Sequence, residues 1–225
     1  KVYELSKDFR NEGVDRSHNP EFTMLEFYLA FADYKDCMDI VEKMIFNAAK
    51  AVNSEKILFD NIEINFRKPF DRKSYFDLLK NETGHDLKDY SESKLKEVCL
   101  ENKINIEGNL NKGQMLDALM SNLVEPKLIK PTFIIDYPKV LSPLAKEHRS
   151  IGENIVERFE LFIGGSEFAN SFSELNDPIE QRKRLEAQAK LKDEGDEEAQ
   201  PIDEDFIQAM ECGMPPTGGV GLGID

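Results

Sequence analysis

The stretch from Lys1 to Asp33 constrains the fold most, because two alternating runs flank a polar loop. From Val2 to Glu12, Tyr3, Leu5 and Phe9 fall on one parity, and Glu4, Ser6, Asp8, Arg10 and Glu12 on the other. From Phe22 to Ala32, Leu25, Phe27, Leu29 and Phe31 alternate with Met24, Glu26, Tyr28 and Ala30. Side chains alternate across a strand, so Arg10 and Glu12 share a face, and so do Glu26 and Tyr28. Between the runs stand Gly13, Asp15, Ser17, Asn19 and Pro20, all turn formers. The pattern predicts an antiparallel hairpin with one apolar face and one face of isolated charges. A carboxylate such as Glu26 inside so apolar a run needs a partner if it is buried.

Beyond the hairpin the signals alternate between helix and strand. Asp33 is a helix N-cap with Asp36 three residues on, and Tyr34, Met38, Val41, Ile45 and Ala48 predict a helix to about Val52. Ile62, Ile64 and Phe66 predict a strand over Asn61 to Arg67, ended by Pro69. Asp71 to Val124 reads as a helical insertion beside the sheet, with Ser91 as one N-cap and His85 as a surface turn residue. Short strands are expected over Pro131 to Asp136, Val156 to Ile163 and Glu167 to Leu175. The Gly164-Gly165 turn joins the last two, and Asn170, Phe172 and Glu174 share a face. Asp177-Pro178 starts a charged helix running to Glu194, whose charges read as a solvated face. Asp203 caps a short helix before the glycine-rich run Thr217 to Asp225.

Composition narrows the class. The 225 residues are 40% hydrophobic and 32% charged, which suits one sizeable folded domain and not a disordered chain. No apolar run is long enough to span a bilayer, and no signal peptide is visible. Cys37, Cys99 and Cys212 lack zinc-type spacing and fit reduced thiols in a cytoplasm. A net charge of −15 is a poor footprint for a protein whose main task is gripping nucleic acid. An acidic body that recruits RNA through another domain is still compatible with it, and so is a cationic substrate.

Three groups of residues could carry chemistry. Glu160 and Glu167 flank a hairpin with few basic neighbours in the sequence; they fit either Mg²⁺ ligands or ordinary surface glutamates. Glu26, Tyr28, Asn170 and Glu174 would converge if the two hairpins neighbour each other in one sheet. Two carboxylates in one pocket suit a lysine ammonium; unrelated half-buried groups are the other reading. Gly218, Gly219, Gly221 and Gly223 allow a ligand close to the backbone, or form a flexible end. No GxxxxGK motif is present, which excludes a P-loop.

Arg10-Asn11-Glu12, the loop, Asn19-Pro20-Glu21-Phe22-Thr23 and Glu26 together resemble motif 2 of the class II aminoacyl-tRNA synthetases. The fuller set resembles the lysyl-tRNA synthetases: Gly13-Val14-Asp15, Ser17-His18-Asn19, Glu26-Phe27-Tyr28, Ser142-Pro143-Leu144-Ala145-Lys146 and Phe159-Glu160 through Glu174-Leu175-Asn176-Asp177. The resemblance implies an α+β fold, an antiparallel sheet with helices around it and a helical insertion over about residues 71–124. It implies ATP-dependent activation of L-lysine and transfer to tRNA(Lys) in the cytoplasm, by a homodimer. Arg10 would meet the ATP α-phosphate as the catalytic residue. Glu12, His18, Asn19, Phe22, Gly221 and Gly223 would help bind ATP. Glu26, Tyr28, Asn170, Phe172 and Glu174 would hold lysine, and Glu160 and Glu167 would hold Mg²⁺. A paralogue that attaches lysine to elongation factor P, or a non-catalytic synthetase-like binding module, are the alternatives. Lys1 falls inside a strand pattern with no methionine before it, and Gly221 to Asp225 resembles a motif 3 cut short of its arginine. The chain is therefore expected to be a fragment lacking motif 1 and an anticodon-binding domain, and to be inactive alone.

Overall fold

The opening alternation resolves into β1 (Val2–Phe9) and β2 (Glu21–Ala30), paired antiparallel with Tyr3 opposite Phe27 and Glu4 opposite Glu26. This computed structural model describes every residue except 12–13, 15–18, 60, 106–107, 109, 143, 153 and 194–201. Both strands stop short of the expected ends, although Arg10 N–H still donates to Pro20 O at 3.0 Å. Asp33 then caps α1 (Tyr34–Ala51) with a reciprocal box. Its carboxylate accepts from the Lys35 and Asp36 amides, and Asp36 accepts from the Asp33 amide at 3.0 Å.

The middle of the chain departs from expectation twice. A strand β3 (Lys56–Phe59) precedes β4 (Ile62–Asn65), and the two form a separate hairpin. The region expected to be wholly helical opens with β5 (Asp71–Ser74), which pairs in parallel with β6 (Thr132–Ile135). Asp71-Arg72-Lys73-Ser74 has no apolar alternation, so only the edge of β6 draws it into the sheet. The insertion helices follow: α2 (Tyr75–Thr83), α3 (Glu92–Glu101) and α4 (Lys112–Leu123). Asn111 caps α4 through its side chain; Ser91 stands at the α3 N-cap, but its hydroxyl meets Ser93 and not the backbone. His85 is partly exposed after the left-handed Gly84, as a turn residue should be, beside Tyr90 and Glu101.

The remaining elements are β7 (Arg158–Ile163), β8 (Ser166–Ser173), α5 (Pro178–Asp193), α6 (Glu204–Glu211) and β9 (Thr217–Gly223). Seven strands form one sheet in the order β1-β2-β9-β8-β7-β6-β5, antiparallel throughout except for β5 with β6. This is the expected α+β architecture. The glycine-rich run is thus a central strand and not a loose end.

Each face of the sheet is covered over a different part. On one face α1 buries Tyr34, Cys37, Met38 and Val41 against Phe159, Leu161, Ala169, Val220 and Leu222. On the other, the insertion helices bury Leu79, Leu95, Leu116 and Leu119 against Ile134, Tyr137 and Phe162. The hairpin's apolar face is covered only on β2, where Phe27 packs against the α1 core. Tyr3, Leu5 and Phe9 lie exposed, because α1 packs over β7, β8 and β9 and does not reach β1. Nor is α5 a purely solvated helix. Arg184 is buried, donating to Ala145 O at 2.7 Å and to Glu180 at 2.9 Å.

Candidate active site

The second face of the sheet is left open over β2, β9 and β8, and there the expected site residues gather. The two hairpins are not neighbours; β9 lies between them. Its residues on this face are glycines. Gly221 stands between Glu26 and Asn170, and Gly219 between Tyr28 and Phe172. With no side chains on that strand, groups on β2 and β8 face each other across bare backbone. A Cβ placed on Gly219 would collide with Glu174 Oε1 and lie 2.8 Å from Tyr28 Cε1. Glu174 and Tyr28 therefore meet directly above this glycine. On the opposite face a Cβ on Gly218 would lie 2.5 Å from Cys37 Sγ, so the start of α1 also depends on bare backbone here.

Burial pushes the Glu174 carboxyl up to about 7. The Tyr28 phenol is raised by burial first, then by the charges of Glu26 and Glu174. Glu26 itself is only half-buried and makes no hydrogen bond among the described residues, so the partner expected for a buried carboxylate is not required. Glu174 also borders a cavity of about 540 Å³, lined among others by Asp33, Lys146, Arg149 and Thr217. Arg149 there clamps the buried Glu157 through two nitrogens, at 2.6 and 2.9 Å, and reaches Asp33 at 2.8 Å. Burial alone would raise the Glu157 carboxyl, but hydrogen bonds from Arg149 and Ser173 outweigh it and hold the carboxyl low.

At the other end of the face lie Glu160 and Glu167. Glu160 pairs in register with Asn170, and Glu167 with Phe162. Glu167 and Asn170 are three residues apart, which in a regular strand would put them on opposite faces. An extra residue at Phe168, where the register shifts, returns both to the same face. The expectation of few basic partners is corrected at Glu160. Arg158, on the same parity of β7, donates to Glu160 Oε1 at 2.5 Å, and Tyr137 OH donates to Oε2 at 2.6 Å. Sequence reasoning missed both residues, although the Arg158-Phe159-Glu160 alternation was a usable signal. Burial and the negative charge of Glu160 push the Glu167 carboxyl up to about 7. More than a third of the Glu167 surface still meets solvent, so screening discounts any stability drawn from that shift.

These residues fit a Mg²⁺ that draws most of its shell from water and phosphate. A carboxylate offers about four lone-pair positions, and Glu160 spends three of them on Arg158, Tyr137 and Asn170. Glu167, which a nearby cation would relieve of its repulsion from Glu160, would offer the freer carboxylate. No cluster of three or more metal-ligating side chains occurs among the described residues, so an all-protein cage is not built.

The expected nucleotide residues are only partly brought in. Arg10 lies over the Phe22 ring at 5.2 Å, and its charge reaches far enough to pull the Glu167 carboxyl back down. Asn19 is exposed at the hairpin tip and makes no hydrogen bond to another described residue. Glu12, Gly13, Asp15, Ser17, His18 and Pro143 lie outside the described residues. Gly223 has open space around its Cβ position, and a Cβ on Gly221 would lie 3.4 Å from Met24 Sδ.

The open face thus has a floor of glycines, carboxylates at both ends and an arginine on the bordering hairpin. The chain belongs to the class II tRNA synthetases (D, K and N), whose family model matches residues 1–225. It is similar along its whole length to three curated proteins, each a lysine–tRNA ligase. Identity is 48% over 225 residues with that of Christiangramia forsetii, 47% over 226 with that of Thermosipho africanus, and 46% over 225 with that of Azobacteroides pseudotrichonymphae. The chain spans 39%, 44% and 45% of their respective lengths.

Proposed function

We propose that this chain builds the activation site of a lysine–tRNA ligase, acting on L-lysine, ATP and tRNA(Lys). The observation that carries the reading is the meeting of Glu174 and Tyr28 over Gly219, a partly buried acidic end on an otherwise open face. A lysine ammonium has three donors on one compact charge, and the Glu174 carboxylate and Tyr28 oxygen answer two of them. Glu26, Asn170 and Phe172 would line the way to the reacting carboxylate. That the three relatives are lysine–tRNA ligases supports the same choice of amino acid.

In this reading the lysine carboxylate oxygen attacks the ATP α-phosphorus in line. A new P–O bond forms as the bond to pyrophosphate breaks, giving lysyl-adenylate. The lysyl group then passes to the terminal ribose hydroxyl of tRNA, releasing AMP. Arg10 would stabilise charge on the α-phosphate oxygens, and the fixed face of β2 and β8 would supply orientation. Glu160 and Glu167 are the residues that would hold Mg²⁺, which when bound neutralises phosphate charge. Phe22 would stack on adenine, with Asn19, Glu12, His18, Gly221 and Gly223 around the nucleotide. The reading carries with it a homodimer at work in the cytoplasm. Among the described residues no helix is long and apolar enough to cross a membrane.

Lysine-dependent ATP–pyrophosphate exchange tests the assignment, in the full-length protein carrying this chain. Glu174→Gln is expected to raise the lysine KM at least thirtyfold and leave the ATP KM within threefold, since losing one partner of a desolvated charge pair costs about 2–5 kcal/mol. An unchanged lysine KM would remove the basis of the proposal.

A further inference from the structure

We infer that Arg158 is a positioning residue that sets the Asn170 amide and the Glu160 carboxylate in advance, and so ties lysine recognition to the cation end of the site. The inference rests on the lysine–tRNA ligase reading above. Arg158 opens β7, and its side chain is only 14% exposed. Its guanidinium lies 4.6 Å from the Tyr137 ring centroid, which holds its plane. Four of its five N–H groups are assigned by geometry. Nη1 donates to Leu141 O at 2.8 Å and Ser142 Oγ at 2.7 Å, anchoring the fork to the loop beside the site. Nε donates to Asn170 Oδ1 at 3.2 Å, and Nη2 to Glu160 Oε1 at 2.5 Å.

The two anchoring bonds are structural; the other two have a chemical consequence. An asparagine amide presents a carbonyl oxygen or an amino group depending on its flip. Because Arg158 has only donors to offer, the Asn170 oxygen must turn toward it. The amino group then faces Glu160, and Asn170 Nδ2 does lie 3.4 Å from Glu160 Oε1. A ligand arriving from the β2 side meets an amide whose orientation is already fixed. Glu160 is held at both oxygens, by Arg158 on one and Tyr137 on the other. One planar fork thus links an amino-acid residue to a metal residue. Lysine in its place keeps the charge but has a single nitrogen head, which cannot serve Asn170, Glu160 and the loop in one geometry.

The test compares Arg158→Lys, Tyr137→Phe, Asn170→Ala and the Arg158→Lys/Asn170→Ala double variant in the full-length protein. Lysine affinity is read by calorimetry. Cation affinity is read by Mn²⁺ paramagnetic resonance in the presence of a non-hydrolysable ATP analogue, and folding by thermal unfolding. Partners of this kind typically contribute ten- to a hundredfold. Arg158→Lys is expected to weaken both lysine and Mn²⁺ binding by about tenfold or more while unfolding cooperatively. Tyr137→Phe should weaken Mn²⁺ alone. The double variant should bind lysine no worse than Asn170→Ala, since Arg158 acts through that amide. Wild-type lysine affinity in Arg158→Lys, with Asn170→Ala impaired, would overturn the inference and leave the functional reading standing. Normal lysine affinity in Asn170→Ala would overturn the inference as well, while the functional reading is decided separately by Glu174→Gln. If Arg158→Lys does not fold, Arg158→Gln is measured in its place, and wild-type lysine and Mn²⁺ affinity there overturns the inference.

Discussion

Adding one methyl group at Gly219 should separate substrate recognition from folding. The Cβ of Gly219→Ala would collide with Glu174 Oε1 and lie 2.8 Å from Tyr28 Cε1 and 3.0 Å from Tyr28 Cδ1. Every atom it meets belongs to a side chain, and both side chains can swing away. The sheet therefore accommodates the methyl, at a cost in the range of about 1–3 kcal/mol for overpacking. What cannot be kept is the place of Glu174 and Tyr28 over the strand. If the carboxylate leaves the ammonium position, the loss is about 2–5 kcal/mol of binding. At 1.4 kcal/mol per factor of ten, even the low end is roughly a thirtyfold rise in lysine Kd. Titration calorimetry with L-lysine measures it, alongside ATP, whose affinity should stay within about threefold because Arg10 and Phe22 lie at the far end of the β1–β2 hairpin from Tyr28. Gly223→Ala is the control on the same strand: its Cβ meets nothing within 4 Å and it pairs with Met24, away from the Glu174–Tyr28 end, so lysine affinity should hold. A Gly219→Ala protein that binds lysine like the wild type would refute the placement of the pocket.

Other consequences are open to measurement. With its carboxyl moved from 4.5 to about 7, Glu174 takes up a proton in the folded state between those values. The ligand-free protein should thus lose stability as pH rises through that window, and lysine affinity should fall as pH drops below about 7. Melting curves with and without lysine read both effects. Glu174→Gln should remove the pH dependence of lysine affinity and reduce that of stability, to which Glu167 also contributes. A lysine affinity independent of pH would contradict the assignment. Arg149→Ala strands the buried Glu157 and should cost about 3 kcal/mol in urea unfolding, the low end for such a pair because the guanidinium itself is mostly exposed. Since hydrogen bonds hold the Glu157 carboxyl low, that difference should shrink as pH falls through its folded pKa and the group protonates. Glu167→Ala should weaken the Mg²⁺ dependence of pyrophosphate exchange about tenfold without lowering the melting temperature; an identical Mg²⁺ titration would make Glu167 structural.

Where side chains alternate strongly the fold was legible, and where backbone decides it was not. The opening hairpin, the Asp33 capping box and the apolar period of α1 all follow from residue type. β5 could not be read, because four polar residues are held as a strand only by the neighbouring edge of β6. β9 gave an ambiguous signal for the opposite reason: glycine disfavours strands in isolation, and its value here lies in what the adjacent strands place above it. The convergence of Glu26, Tyr28, Asn170 and Glu174 on one face was legible by parity along β2 and β8. Glu167 stood out by flanking a hairpin with Glu160 and by family resemblance, and not by parity with Asn170, since the bulge at Phe168 hides its face from the alternation. Arg158 could have been read from its spacing to Glu160. Tyr137 could not, because it reaches the site from an irregular loop.

The position of β9 also dictates how the site comes into being. Thr217 pairs with Ala30 and Gly223 with Met24, while on its other edge Gly218 pairs with Ser173. A segment from the far side of the sequence is thus the keystone between the first hairpin and the rest of the sheet. Without it, the edges of β2 and β8 that face it are both unpaired. Closing so long a loop is slow, and nothing local rewards it until both seams zip together. Arg10, Glu26 and Tyr28 on one side meet Asn170 and Glu174 on the other only when that happens. The juxtaposition of β2 and β8 groups therefore depends on β9, so a partly unfolded chain that releases this strand loses it.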